Sequence, residues 1–226
     1  MPGVVADKYP DVVKEIAARG HEIGFHGYFH EEFSTTTCEQ ENATMERCEQ
    51  LIRKLTGQQM VSHRAPGGVI HDYSLRLFVE RGYIASSNWR NSDGPFIHEL
   101  DGVKFPGGGS QGFHLRRYAY DFYTDSAPER YELKSPGEML EIWKEEFDTW
   151  QTSRMINFVL HPQFIGRVSR VNMLKDLIGY MLSRGAGLTQ PVRGRMGFKG
   201  KRHAFKVGFP GSFKPNKNIC KRGNNL

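Results

Sequence analysis

Two histidines, His26 and His30, stand four residues apart at the end of an apolar run and enclose Gly27, Tyr28 and Phe29. Neutral imidazole is the commonest metal ligand among side chains, and two of them at this spacing can face one ion. Two further polar signals follow in order, Arg64-Ala65-Pro66 and Leu160-His161-Pro162. The His-x3-His spacing alone arises by chance in a chain with nine histidines. The ordered set of three motifs is what points to a site.

Each residue also has a structural reading. His26 and His30 would serve equally as surface or strand-end histidines, Arg64 as one half of a salt bridge, and His161 as a sheet-end ring bonded to backbone. The run Gly107-Gly108-Gly109-Ser110 lacks the Gly-Lys-Ser/Thr ending of a phosphate loop and reads as an ordinary loop.

Helices and strands alternate around these residues. The pattern predicts helices over 10–18, about 37–55, 72–80, 135–150 and 171–182, with strands at 21–26, 60–65, 83–87, 103–105 and 155–160. Thr36 and Glu39 suggest a capping box for the second helix, and Gly57 its end. Ser135, Pro136 and Glu138 make a strong start for the fourth. Arg-Gly pairs at 19–20, 81–82 and 184–185 each fall where a left-handed glycine would close a helix. The strand at 155–160 is apolar nearly throughout, as expected of a strand buried on both faces. Alternation of this kind predicts an α/β fold with a parallel sheet, an incomplete (β/α) barrel with chemistry at the strand ends.

A length of 226 residues and 38% apolar content suit one domain with a sizeable core. The net charge of +6 divides unevenly. Residues 188–226 carry ten Lys or Arg and no acidic residue, which leaves 1–187 with 21 basic and 25 acidic side chains, a net of −4. We therefore expect a domain over 1–187 and a basic tail over 188–226. Cys38 and Cys48 fall in one predicted helix, about 15 Å apart at ~1.5 Å per residue, too distant to bridge. Cys220 is left alone, so a reducing, cytoplasmic setting is expected. No apolar run is long enough for a membrane span, so no membrane partner is expected.

The motifs His26-Gly-Tyr-Phe-His30, Arg64-Ala-Pro66-Gly67 and Leu160-His161-Pro162 resemble the second, third and fifth motifs of the polysaccharide deacetylase family, the chitooligosaccharide-deacetylase-like esterases. The resemblance covers most of 4–186. Around 158–170 it is nearest a branch with cytosolic allantoinase-like and cyclic-imide-hydrolysing members. It implies a distorted (β/α) barrel and a metal-dependent hydrolase of non-peptide C–N bonds, acting on N-acetyl amino sugars or, alternatively, on small cyclic amides. His26 and His30 would then be ligands of a divalent metal, zinc by default. Arg64 would orient a carboxylate base, and His161 would protonate the leaving amine. Tyr28, Trp89 and Asp93 would line the substrate site.

The same resemblance places an Asp-Asp pair, the source of the base and the third ligand, at the end of a first strand. The chain begins past that position, and Asp7, the one acidic residue among the first nine, is expected in a turn. Ala85 stands where relatives often carry aspartate. Beyond Gly187 an apolar strand is due and a basic segment follows instead. These departures lead us to expect a truncated copy with little activity, and a tail that reads as an out-of-frame segment. A nucleic-acid-binding arm built on Phe198, Phe205, Phe209 and Phe213 is the alternative reading of that tail. The expected partners are a small-molecule or amino-sugar substrate and, through exposed strand edges, a second copy of the chain.

Overall fold

The computed structural model describes residues 1–88, 96–100, 103–107, 134–150, 158–187 and 220. They fall into two compact units. Among the described residues the first holds four α-helices and the sheet, and the second holds the helices after residue 134.

The first unit opens with a short helix, α1 (Gly3–Lys8), which the periodicity did not signal. Asp7 therefore lies on a helix and not in a turn. Next comes α2 (Pro10–Ala18), its proline at the first helical position, as predicted. Helix α3 (Cys38–Thr56) buries Cys38, Glu41, Met45, Cys48 and Ile52, alternating steps of three and four that place them on one face. Its capping box sits one residue later than expected, on Thr37 and Gln40. The Thr36 hydroxyl is already used, donating to Phe33 O at 3.0 Å. Gly57 closes α3 in the left-handed region, at φ 72°. Helix α4 (Asp72–Glu80) matches its predicted span.

The Arg-Gly rule holds at all three positions. Gly20, Gly82 and Gly185 take φ values of 82°, 75° and 83°. Each follows an arginine at the helix C-cap.

The predicted strands shrink to their central residues. Strand β1 is Ser62–His63 and β2 is Ala85–Ser86. The strand expected at 21–26 reduces to one parallel bridge, Phe25 to His63. Strands β3 (Phe96–Leu100) and β4 (Val103–Gly107) form an antiparallel hairpin, of which only the second half was anticipated. The sheet order is β1-β2-β4-β3, with β1–β2 and β2–β4 parallel, in line with the βα alternation. Phe25, Phe33, Met45, Ile52, Met60, Leu77 and Phe78 form the core of this unit, each at most 1% exposed.

In the second unit Ser135 and Glu138 cap helix α5 (Pro136–Trp150) as predicted, with Glu138 N donating to Ser135 Oγ at 3.2 Å and Ser135 N to Glu138 Oε2 at 2.8 Å. A four-residue helix, α6 (Pro162–Ile165), precedes α7 (Val168–Ser183), which starts three residues earlier than expected. Met139, Trp143 and Phe147 of α5 pack with Met173, Leu177 and Met181 of α7. Of the strand expected at 155–160, residues 158–160 are not in a strand, and Val159 and Leu160 are each 36% exposed. Residues 155–157 lie outside the described residues.

The cysteine expectation is corrected. Cys38 and Cys220, 182 residues apart in sequence, form a disulfide with Cα atoms 5.6 Å apart. Chain folding alone brings them together, which no local spacing could reveal. Cys48 remains a free, buried thiol, and burial pushes its pKa up to about 12. Cysteine usage thus no longer argues for a reducing compartment. Apart from Cys220, the expected tail at 188–226 lies outside the described residues. Among the described residues no helix is long and apolar enough to cross a membrane.

Candidate metal centre at the ends of parallel strands

The site grows from three neighbouring parallel segments. Phe25 N donates to Ser62 O at 2.8 Å and Arg64 N to Phe25 O at 3.0 Å. On the other side, Ser87 N donates to His63 O at 2.9 Å. His26, Arg64 and Asn88 each lie just past the paired residues of their own segment, at one end of the sheet. That is where βα folds gather their chemistry.

His26 is half-buried, and its Nδ1 lies 2.6 Å from Arg64 O. A carbonyl oxygen only accepts, so Nδ1 carries the proton and Nε2 keeps its lone pair for a ligand. Burial pushes the His26 pKa down to about 4, partly opposed by this bond to the Arg64 carbonyl, so the ring is neutral at physiological pH. The His30 ring stands edge-on to it, with centroids 4.9 Å apart. Two imidazoles bound to one tetrahedral ion with bonds of ~2.0–2.1 Å would have centroids about 5 Å apart. The centroid spacing of the pair matches that of two rings on one ion.

His30 holds this place through an unusual backbone. Its φ is 65°, in the left-handed region that non-glycine residues rarely adopt. Glu31, which sequence reasoning passed over, secures the turn. Its carboxylate accepts from Tyr28 N at 3.0 and 3.1 Å and from Phe29 N at 2.7 Å. The only sequence signal was an acidic residue directly after the second histidine.

The other candidates have partners of their own. Arg64 Nη1 donates to both Ser87 O and Ser87 Oγ at 2.8 Å, an anchor to the segment after β2. The Tyr28 side chain is buried, its hydroxyl bound to Asp7 of α1 and Arg47 of α3, with the Arg47 guanidinium 3.6 Å above its ring. Its phenol is thus committed to a contact between helices. Asp7 is committed there too, and among the described residues no cluster of three or more His, Cys, Asp or Glu could hold a metal. His161 belongs to the second unit, where its carbonyl caps α6 by accepting from Phe164 N and Ile165 N at 2.9 Å. Trp89 and Asp93 lie outside the described residues.

A second missed residue is Asn88, 2% exposed. Its Oδ1 accepts from Ala65 N, and its Nδ2 donates to His63 Nδ1 at 2.9 Å and to Ser86 Oγ at 2.6 Å. His63 is buried against Phe25 and Phe78, with ring centroids 5.5 and 3.9 Å away.

Residues 1–85 match the family model described as polysaccharide deacetylase. Over 211 residues the chain is 22% identical to the peptidoglycan deacetylase of Helicobacter pylori, covering 80% of this chain and 70% of that protein. The fold is similar to that of a Mycobacterium smegmatis protein assigned to the polysaccharide deacetylases, with TM-score 0.69, 23% identity, and coverage of 84% of this chain and 74% of that one. It is similar as well to Puue allantoinase, with TM-score 0.65 and 23% identity; 80% of this chain covers 60% of that one. Over its first 85 residues the chain is thus similar to the polysaccharide deacetylases. Its described residues share the α/β fold of these structures, as an incomplete barrel.

Proposed function

We propose that this chain is a metal-dependent hydrolase of non-peptide C–N bonds that removes N-acetyl groups from amino-sugar polymers. The observation that carries this reading is the His26–His30 pair, with one imidazole fixed in the Nε2-ligating tautomer and the other 4.9 Å away. The two rings would hold a divalent ion, zinc first by the softness and geometry of imidazole. Held there, such an ion would supply Lewis acidity toward the amide carbonyl and a bound water. In the hydrolysis, water oxygen bonds to the acyl carbon, the C–N bond breaks, and a proton passes to the amine. His161 is proposed as the donor of that proton and Arg64 as a group that would orient a carboxylate base. Trp89 and Asp93 are proposed to line the sugar site, and Tyr28 only through its ring edge or backbone, since its hydroxyl is bound to Asp7 and Arg47. The names of the relatives, peptidoglycan deacetylases among them, support the substrate class.

Acetate release from zinc-loaded protein acting on peptidoglycan or N-acetylglucosamine oligomers tests the proposal, with His26→Ala and His30→Ala as controls. We expect slow release of acetate and new amine in equal amounts, since among the described residues no third ligand joins the histidine pair, and its loss in both variants. Zinc binding with no acetate from any N-acetyl sugar would overturn it. The likeness to an allantoinase favours one other reading, opening of small cyclic amides. Ring opening of allantoin without acetate release would select that reading.

A further inference from the structure

We propose that Asn88 is a positioning residue for His26, acting across the sheet through a single peptide group. The consequence for metal binding rests on the reading of His26 as a ligand. The peptide unit between Arg64 and Ala65 is planar and moves as one body. Its C=O accepts from His26 Nδ1 at 2.6 Å, and its N–H, on the opposite edge, donates to Asn88 Oδ1 at 2.5 Å. Rotating the plane to lose one bond weakens the other.

Asn88 is itself held from two sides. With Oδ1 turned to an N–H, Nδ2 must face the acceptors His63 Nδ1 and Ser86 Oγ, at 2.9 and 2.6 Å. This also fixes His63 with its proton on Nε2. Ser86, His63, Asn88 and Ala65 are all buried, where bonded groups polarise one another and unpaired ones are costly. An N–H donated to Asn88 makes the same unit's carbonyl a stronger acceptor for His26. The chain of bonds thus runs from the end of β2, across the end of β1, to the first histidine of the pair. Groups that hold a metal-binding imidazole through its other nitrogen change metal affinity by roughly 10–100-fold.

The test uses the full 226-residue chain and two readouts. Histidine 15N–1H spectra of metal-free protein report the His26 tautomer, and titration with Co2+ reports affinity. In the wild type we expect His26 with Nδ1–H. In Asn88→Ala we expect a shift toward Nε2–H and a loss of Co2+ affinity of about 10-fold or more. Asn88→Asp, which keeps an oxygen facing Ala65 N, should retain the wild-type tautomer and most of the affinity. Should the alanine variant fail to fold, retention or loss of the tautomer in Asn88→Asp decides the matter. An unchanged tautomer in Asn88→Ala, or an equal loss in both variants, overturns the proposal. If wild-type protein binds no Co2+, the metal reading fails, and the tautomer still answers for Asn88.

Discussion

His26 Nδ1 and Arg64 O, 38 residues apart in sequence, lie 2.6 Å from one another. This bond decides which nitrogen of His26 can serve as a ligand, and it ties the first motif to the second. Replacing His26 by Gln, which has no ring to hold in place, should abolish tight Zn2+ binding. Replacing Arg64 by Met keeps the main-chain acceptor, so Zn2+ binding should fall less than in the glutamine variant. Calorimetric titration of both variants checks the order.

Arg81, at the end of α4, donates Nε and Nη2 to the two carboxylate oxygens of Glu49 on α3 at 3.0 and 2.9 Å. Its Nη1 donates to Asn42 Oδ1 at 2.7 Å, and Tyr83 adds a bond to Glu49. The Arg81 side chain is 5% exposed and that of Glu49 18%, so either charge left alone is desolvated and unpaired. Arg81→Met should cost about 3–5 kcal/mol. Urea unfolding of the variant against wild type measures this, and a cost under ~1 kcal/mol would show the pair to be solvated.

Glu41 is fully buried in α3, its carboxyl accepting from Ser74 Oγ at 2.8 Å. Burial raises its pKa from 4.5 to about 7, with the Ser74 bond opposing. A carboxyl raised in the folded state is protonated there while the unfolded chain ionises. Its contribution is therefore complete below pH 4.5, shrinks as pH rises to about 7, and is flat above. The total is on the order of 3 kcal/mol. Glu41→Gln should flatten the stability profile over that window, and unfolding free energies at a series of pH values test it.

The Cys38–Cys220 disulfide leaves Cys48 as the one free thiol. Alkylation of the denatured, unreduced protein should add one label, and reduction should raise this to three. Reduction should also lower stability by roughly 2–4 kcal/mol, the usual worth of such a cross-link. Three labels before reduction would show that the bridge does not form in solution.

Local chemistry was legible in the sequence. Pro10, Gly57, the Ser135–Glu138 box and the three Arg-Gly pairs mark helix ends because a cap is a matter of a few adjacent residues. The His26–His30 spacing was legible for the same reason, since one turn of chain brings both rings together. Tertiary structure alone decided what depends on pairing across the sheet or on closure of long loops. Strand lengths shrank because parallel pairing at Phe25, His63 and Ser86 spans only a residue or two. Tyr28 and Asp7 went to a helix contact because Arg47 of α3 meets them there. The tautomer of His26, the place of Asn88 and the partner of Cys220 each needed residues 23 to 182 positions apart to meet, and no local pattern encodes such a meeting.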